Sequence, residues 1–225
     1  MAVSNKDNFS TITDRFKEVK IFFIIFYAVG IAGLLIPFTF SLFLRLIPFA
    51  LILSFIALAL FHKDKTDVKS LVVFLIIYAL GFMVEAIGVN TQLIFGNYQY
   101  GDSLGFKLFN TPLIIGLNWL LLVYITSSVI EEFKLKWFPS IILASTIMLV
   151  YDIILEQVAS QINMWQWSHN IIPIQNYIAW FIIAVLFQYL IKAFRVRTEN
   201  KLAQVILICQ FAFFISLYLI LKVIQ

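Results

Sequence analysis

The sequence predicts an all-α fold, a polytopic bundle of about seven membrane-crossing helices with the N-terminus in the cytoplasm. Three observations carry that prediction. Of the 225 residues, 62% are apolar and only 12% charged, where a soluble domain runs near 45–50% and about 25%. The apolar residues fall in blocks of 17 to 20, the length at which a helix crosses a hydrocarbon core of about 30 Å. The basic residues sort to one side of those blocks. Mean hydropathy is +0.98, which excludes a water-soluble enzyme, a disordered chain and a nucleic-acid-binding protein. The one cysteine, Cys209, has no partner for an intramolecular disulfide.

Residues 1–20 are polar, carry both signs of charge and lack the apolar core of a signal peptide, so they are expected to form a cytoplasmic tail. Residues 21–225 are expected to form one transmembrane domain. Its spans fall near 21–38, 44–61, 71–88, 112–130, 138–157, 175–191 and 203–221. They are apolar on every face, as lipid-facing helices are. The first two come from one run, residues 21–61, interrupted by Pro37, Arg45 and Pro48. Two prolines and a charge predict a tight helical hairpin there; a single span would leave a six-helix protein.

Charge decides between seven and six. With seven spans, one side receives Lys6, Arg15, Lys17, Lys20, Lys63, Lys65, Lys69, Lys134, Lys136, Lys192, Arg195, Arg197 and Lys201, which is 13 of the 16 basic residues. Arg45, Lys107 and Lys222 remain on the other. The positive-inside rule then puts the N-terminus in the cytoplasm and the C-terminus outside.

Eight of the 12 acidic residues lie in the tail or the cytoplasmic loops. The other four, Glu85, Asp102, Asp152 and Glu156, are expected near the outer face. Asp152 and Glu156, four residues apart, share one helix face. Acids near a helix C-terminus oppose its dipole, and carboxylates inside a span mark functional sites. Two outer loops add aromatic and amide groups. The first contains Asn90 and the triplet Tyr98-Gln99-Tyr100; the second contains Trp165-Gln166-Trp167. Asn118 with Trp119, and Asn176 with Trp180, follow at the starts of the next helices. Each loop thus joins a late-helix glutamate to an aromatic-Gln-aromatic triplet and then a proline, Pro112 or Pro173, a pattern of internal duplication. The aromatics also read as an interfacial belt. His169 beside Asp152 and Glu156 makes a poor zinc site, so no metal is expected. No phosphate-binding or dinucleotide motif occurs.

These residues resemble the membrane carotenoid hydratases of the bisanhydrobacterioruberin hydratase type. The resemblance rests on Glu85-Ala86-Ile87-Gly88-Val89-Asn90-Thr91, then Phe95-Gly96, Tyr98 and Tyr100, then Leu104-Gly105. It continues through Pro112-Leu113-Ile114-Ile115, Leu117-Asn118-Trp119, Asp152, Leu155-Glu156, Val158-Ala159, Trp165 and Trp167. It closes with Pro173, Asn176-Tyr177 and Ala179-Trp180, so it covers residues 85–180, with Gln92 standing where glycine is expected.

The resemblance implies a hydro-lyase of carotenoid biosynthesis in the bacterial inner membrane. It would add water across the C1,C2 double bond of an acyclic end group without a cofactor. An acyclic or monocyclic carotenoid is the implied substrate, with membrane lipid around it and other carotenoid enzymes as candidate associates. Glu85, Asp102, Asp152 and Glu156 are the catalytic candidates. Asp152 or Glu85 would be the general acid and Glu156 the group that takes a proton from water. Asn90, Tyr98, Tyr100, Asn118, Trp119, Trp165, Trp167, Asn176 and Trp180 are the substrate-binding candidates. An isoprenoid cyclase would need a similar cation and similar residues. A transporter would gather its polar groups at the midplane, in broken helices.

Overall fold

A computed structural model describes residues 15–63 and 67–224. Most of the expected tail, residues 1–14, lies outside that range, as do Asp64 and Lys65. Among the described residues seven helices are long and apolar enough to cross a membrane: α1 (Phe16–Leu35), α2 (Pro37–Leu60), α3 (Val68–Thr91), α4 (Ile114–Glu131), α5 (Trp137–Ala159), α6 (Ile174–Ala193) and α7 (Lys201–Ile224). The predicted hairpin forms, with a sharper turn than expected. α1 starts five residues early, so Lys17, Glu18 and Lys20 are helical. Only Ile36 (φ −84°, ψ 117°) separates α1 from α2. Pro37 does not kink a span; it occupies the first turn of α2, where its missing N–H costs nothing. Pro48 lies inside α2, and Arg45 belongs to that helix instead of the connection. Contacts along the pair run antiparallel: the Phe16 and Phe61 rings lie 6.3 Å apart, and the Tyr27 hydroxyl meets Ser54 Oγ at 3.2 Å.

α4 is the central helix, with 78% of its span buried against its neighbours. Glycines on both partners bring α3 close to it. A Cβ on Gly81 would stand 2.7 Å from Trp119 Cβ, and one on Gly116 would stand 2.7 Å from the Tyr78 carbonyl. Small residues at such crossings let backbones approach where lipid supplies no hydrophobic drive between helices.

The two ends of the bundle differ. At the end carrying most basic residues, polar side chains tie the connections together. Asn200 donates to the Leu58 carbonyl (2.7 Å) and the Tyr124 hydroxyl (3.1 Å), His62 Nδ1 pairs with that hydroxyl (2.7 Å), and Lys63 bonds Glu199. At the opposite end the two long connections pair with each other. β1 (Tyr98–Tyr100) and β4 (Trp165–Trp167) form an antiparallel ribbon with Tyr98 opposite Trp167 and Tyr100 opposite Trp165. A small hairpin of β2 (Lys107–Leu108) and β3 (Thr111–Pro112) leads into α4. Strand alternation turns Gln99 and Gln166 outward and all four aromatics inward. Gly101 permits the close approach: a Cβ there would stand 2.2 Å from the Asn163 carbonyl. Ladder pairing satisfies the ribbon's backbone, as non-helical chain inside a bundle requires.

Candidate active site

The inward face of the ribbon meets two glutamates. Glu85, two turns before the end of α3, accepts from both the Tyr98 and Tyr100 hydroxyls on Oε2 (2.7 Å each). Its Oε1 accepts from the Trp119 indole (3.0 Å). Glu156, one turn before the end of α5, accepts from the Trp165 (3.0 Å) and Trp167 (2.8 Å) indoles on Oε2. The Asn176 amide lies 3.3 Å from Glu156 Oε1 and 3.3 Å from Asp152 Oδ2. Both glutamates are buried. Between them is a cavity of about 20 Å³, lined also by Tyr98, Tyr100, Asn118, Trp165, Trp167 and Trp180. Roughly 10–15 Å³ of such space holds one water. The Trp119 ring stacks behind that of Trp180 at 4.0 Å and 22°.

Burial, then the Glu85 charge, pushes the Tyr98 and Tyr100 hydroxyls well above the ordinary phenol value. They therefore remain O–H donors across the working pH range.

A second, larger cavity of about 280 Å³ adjoins this one. Ile115, Asn118 and Trp165 line both. Its walls are almost wholly apolar and come from α1, α2, α4, α5, α7 and the loops, with Leu34, Phe43, Ile47, Leu104, Leu155, Met164 and Phe214 among them. Asn118 is buried at the junction and makes no hydrogen bond to a described residue, leaving its amide for a ligand. Inspecting polar residues did not find the second cavity, because its walls are the same Leu, Ile and Phe that face lipid elsewhere.

Not every sequence candidate joins this group. Asp152 is fully buried beside Asn176 but lines neither cavity; its Oδ1 has no partner among the described residues. Asp102 stands apart, its side chain 93% exposed and paired with Lys107 at 3.0 Å, so three of the four expected acids converge. Asn90 is exposed and donates to the carbonyls of Ala86 (2.7 Å) and Phe109 (2.8 Å), which fixes the loop before β3. His169 is exposed on a 3₁₀ turn (Ser168–Asn170).

Seven membrane-length helices closed by a buried carboxylate–aromatic ribbon define a polytopic integral membrane protein with a lipophilic cavity at its polar site. The chain belongs to the carotenoid biosynthesis protein family, whose model matches residues 46–225. The match takes in α3 to α7, the second half of α2 and every residue around the two glutamates. No curated protein matches the chain, and no solved structure matches it.

Proposed function

We propose that this membrane protein of carotenoid biosynthesis is a hydratase, adding water to the C1,C2 double bond of an acyclic carotenoid end group. The observation that carries this reading is the unlike pair of shells around two carboxyls that face one water-sized cavity. Indole N–H groups only donate, so Oε2 of Glu156 is held as a carboxylate oxygen, and Oε1, beside the amide that it shares with Asp152, is left to take up a proton. A phenol both donates and accepts. When Glu85 carries a proton on Oε2, one of its tyrosines can turn to receive it, so this shell holds the acid and its conjugate base equally.

Glu85 then protonates C2 of the end group and a tertiary cation forms at C1. Water in the small cavity attacks C1 and Glu156 takes the proton it sheds. The outcome is a tertiary alcohol with no change of oxidation state. Two carboxyls and the Trp180 ring, backed by the Trp119 ring stacked on it, stabilise the developing positive charge. Asn118 orients water or the alkene. Asp152 acts as a positioning residue through the Asn176 amide it shares with Glu156. The apolar cavity holds the adjoining polyene, and the charge bias of the loops supports a site toward the outer face.

The test is pigment analysis in a carotenogenic host expressing the chain, with lycopene and a monocyclic carotene both offered. A product heavier by one water is expected. An isomer of unchanged mass would identify a cyclase and overturn the reading.

A further inference from the structure

The apolar cavity has a polar group at the end away from the carboxyls. Gln210 of α7 lines it and is only 2% exposed, yet its Oε1 has no hydrogen-bond partner among the described residues. The neighbouring hydrogen bonds have a fixed direction. Ser54 Oγ donates to the Ala50 carbonyl at 2.8 Å, so at the 3.2 Å contact the Tyr27 hydroxyl is the donor to Ser54. The Gln210 amide lies beside Tyr27, and its N–H is the group that can donate to that hydroxyl. The chain therefore ends on the Gln210 carbonyl as an acceptor. A buried acceptor left unpaired is costly, and the partner it calls for is an O–H on whatever fills the cavity.

Volume and span narrow that ligand. An apolar cavity of about 150 Å³ takes benzene, so at about 25 Å³ per carbon the 280 Å³ here hold about eleven carbons. Tyr151 packs on Phe211 and Phe214, with ring centroids 5.6 Å apart in each case, which sets Gln210 near the level of Tyr151. Five residues separate Tyr151 from Glu156, an axial distance of about 7.5 Å. Six bonds of an extended chain cover on the order of 8 Å at standard bond lengths. An acyclic ten-carbon isoprenoid alcohol has that span between its hydroxyl and its terminal trisubstituted double bond.

We propose that the cavity is a site for short acyclic isoprenoid alcohols, with the ligand hydroxyl on Gln210 Oε1 and the terminal double bond at the Asn118 junction, against the water-sized space between Glu85 and Glu156. The chemical step rests on the hydratase reading; the binding does not. In that step a proton from Glu85 adds to the less substituted alkene carbon. Water oxygen bonds the tertiary carbon and gives its second proton to Glu156, so the product is a diol and nothing is oxidised or reduced.

The experiment uses the full chain in lipid nanodiscs with geraniol and the hydrocarbon of the same skeleton lacking the hydroxyl. Binding is read by fluorescence of the tryptophans, Trp165 being in the wall, and product by mass spectrometry. Geraniol should bind about tenfold tighter than the hydrocarbon, one net hydrogen bond's worth. Gln210→Leu should remove that preference, so that geraniol and the hydrocarbon bind alike. Equal affinities in the unaltered chain, or a preference that survives Gln210→Leu, would overturn the site. Should Gln210→Leu fail to fold, Tyr27→Phe, which removes the donor to Ser54 and leaves Gln210 in place, should lower the preference without abolishing it. A preference without diol would sink the hydration step alone, whereas carotenoid hydration without any geraniol preference would sink the alcohol site alone.

Discussion

The α3–β1–α4 half and the α5–β4–α6 half perform the same construction with different chemistry. In each, a glutamate near the helix end is held by two aromatics of the strand that follows: Tyr98 and Tyr100 on Glu85, Trp165 and Trp167 on Glu156. The strands pair with each other, and Trp119 and Trp180, at matching places in α4 and α6, stack face to face. The duplication suspected in the sequence is thus a pseudo-symmetric arrangement about the ribbon. Two differences break it. Phenols stand in one half where indoles stand in the other. Four residues before the glutamate, the first half has Gly81, pressed on Trp119, and the second has Asp152. One half meets its acid with hydroxyls that donate or accept; the other holds one carboxylate oxygen with donors alone and carries a second acid behind it. A symmetric pair would have no direction, and hydration requires one.

The largest effect should come from exchanging the carboxyls for amides. Glu156→Gln keeps one carbonyl for the two indoles, which can only donate, but sets its NH₂ against the Asn176 amide, which must turn away from Asp152 to accept it, at a cost of about 1–3 kcal/mol. Glu85→Gln faces phenols that can reorient, and it should fold near normally. Both should lose about 10²–10⁴-fold in turnover, as removal of a general acid or base does. Thermal unfolding of the two purified variants checks the contrast: equal melting temperatures would mean the shells are not unlike in the way argued. Asp152→Asn should cost less, about tenfold in kcat with KM unchanged, because Asp152 lines no cavity and acts through Asn176. A rise in KM instead would mean that Asp152 touches substrate.

Most of the bundle was legible because membrane spans are written in length and hydropathy, with loop charge as an independent count. The α1–α2 turn was drawn too long because Pro37 was read as an interruption. Proline at a helix start is a signal of initiation, and the residue before it, Ile36, is extended. The site is legible by residue type, since Glu85, Glu156 and the two triplets stand out in the sequence. What could not be read was which acid meets which aromatic, since that depends on strands only three residues long that fold back into the bundle. Asp102 shares the loop of Tyr100, yet it lies past the end of β1, in a bend where the bond to Lys107 holds it at the rim facing solvent. Gln210 went unremarked inside an apolar run, although an amide in a span is itself a signal.

A gentler probe of the same contrast is alkaline titration. Tyr98 and Tyr100 ionise well above the ordinary 10.0 because burial, then Glu85, opposes the phenolate. The unfolded chain releases those protons at the ordinary value while the folded chain keeps them. Their contribution to stability is therefore complete below pH 10 and declines as the pH rises past it. Absorbance at 295 nm should show these two tyrosines titrating only with unfolding, and Tyr98→Phe with Tyr100→Phe should flatten the alkaline loss of stability. Trp165→Phe with Trp167→Phe should leave that pH dependence as it is, since an indole does not titrate in this range. A smaller phenolate signal near pH 10 in the folded Tyr98→Phe, Tyr100→Phe variant than in the unaltered protein would mean the ribbon is open to water.

The smallest effect is expected where the sequence placed a fourth acid. Asp102 is joined to Lys107 at the rim, and Lys107 Nζ also donates to the Tyr100 carbonyl at 2.8 Å. An exposed ion pair contributes little, so Asp102→Asn should change turnover less than twofold. Lys107→Met removes in addition the bond that holds the end of β1, and through Tyr100 it should loosen only the Glu85 half. A measurable loss in Lys107→Met with none in Asp102→Asn would show that the rim matters through the strand it holds. If Asp102→Asn were the more damaging, the acid would belong to the chemistry after all, and the two-carboxyl division of labour would have to be redrawn around three.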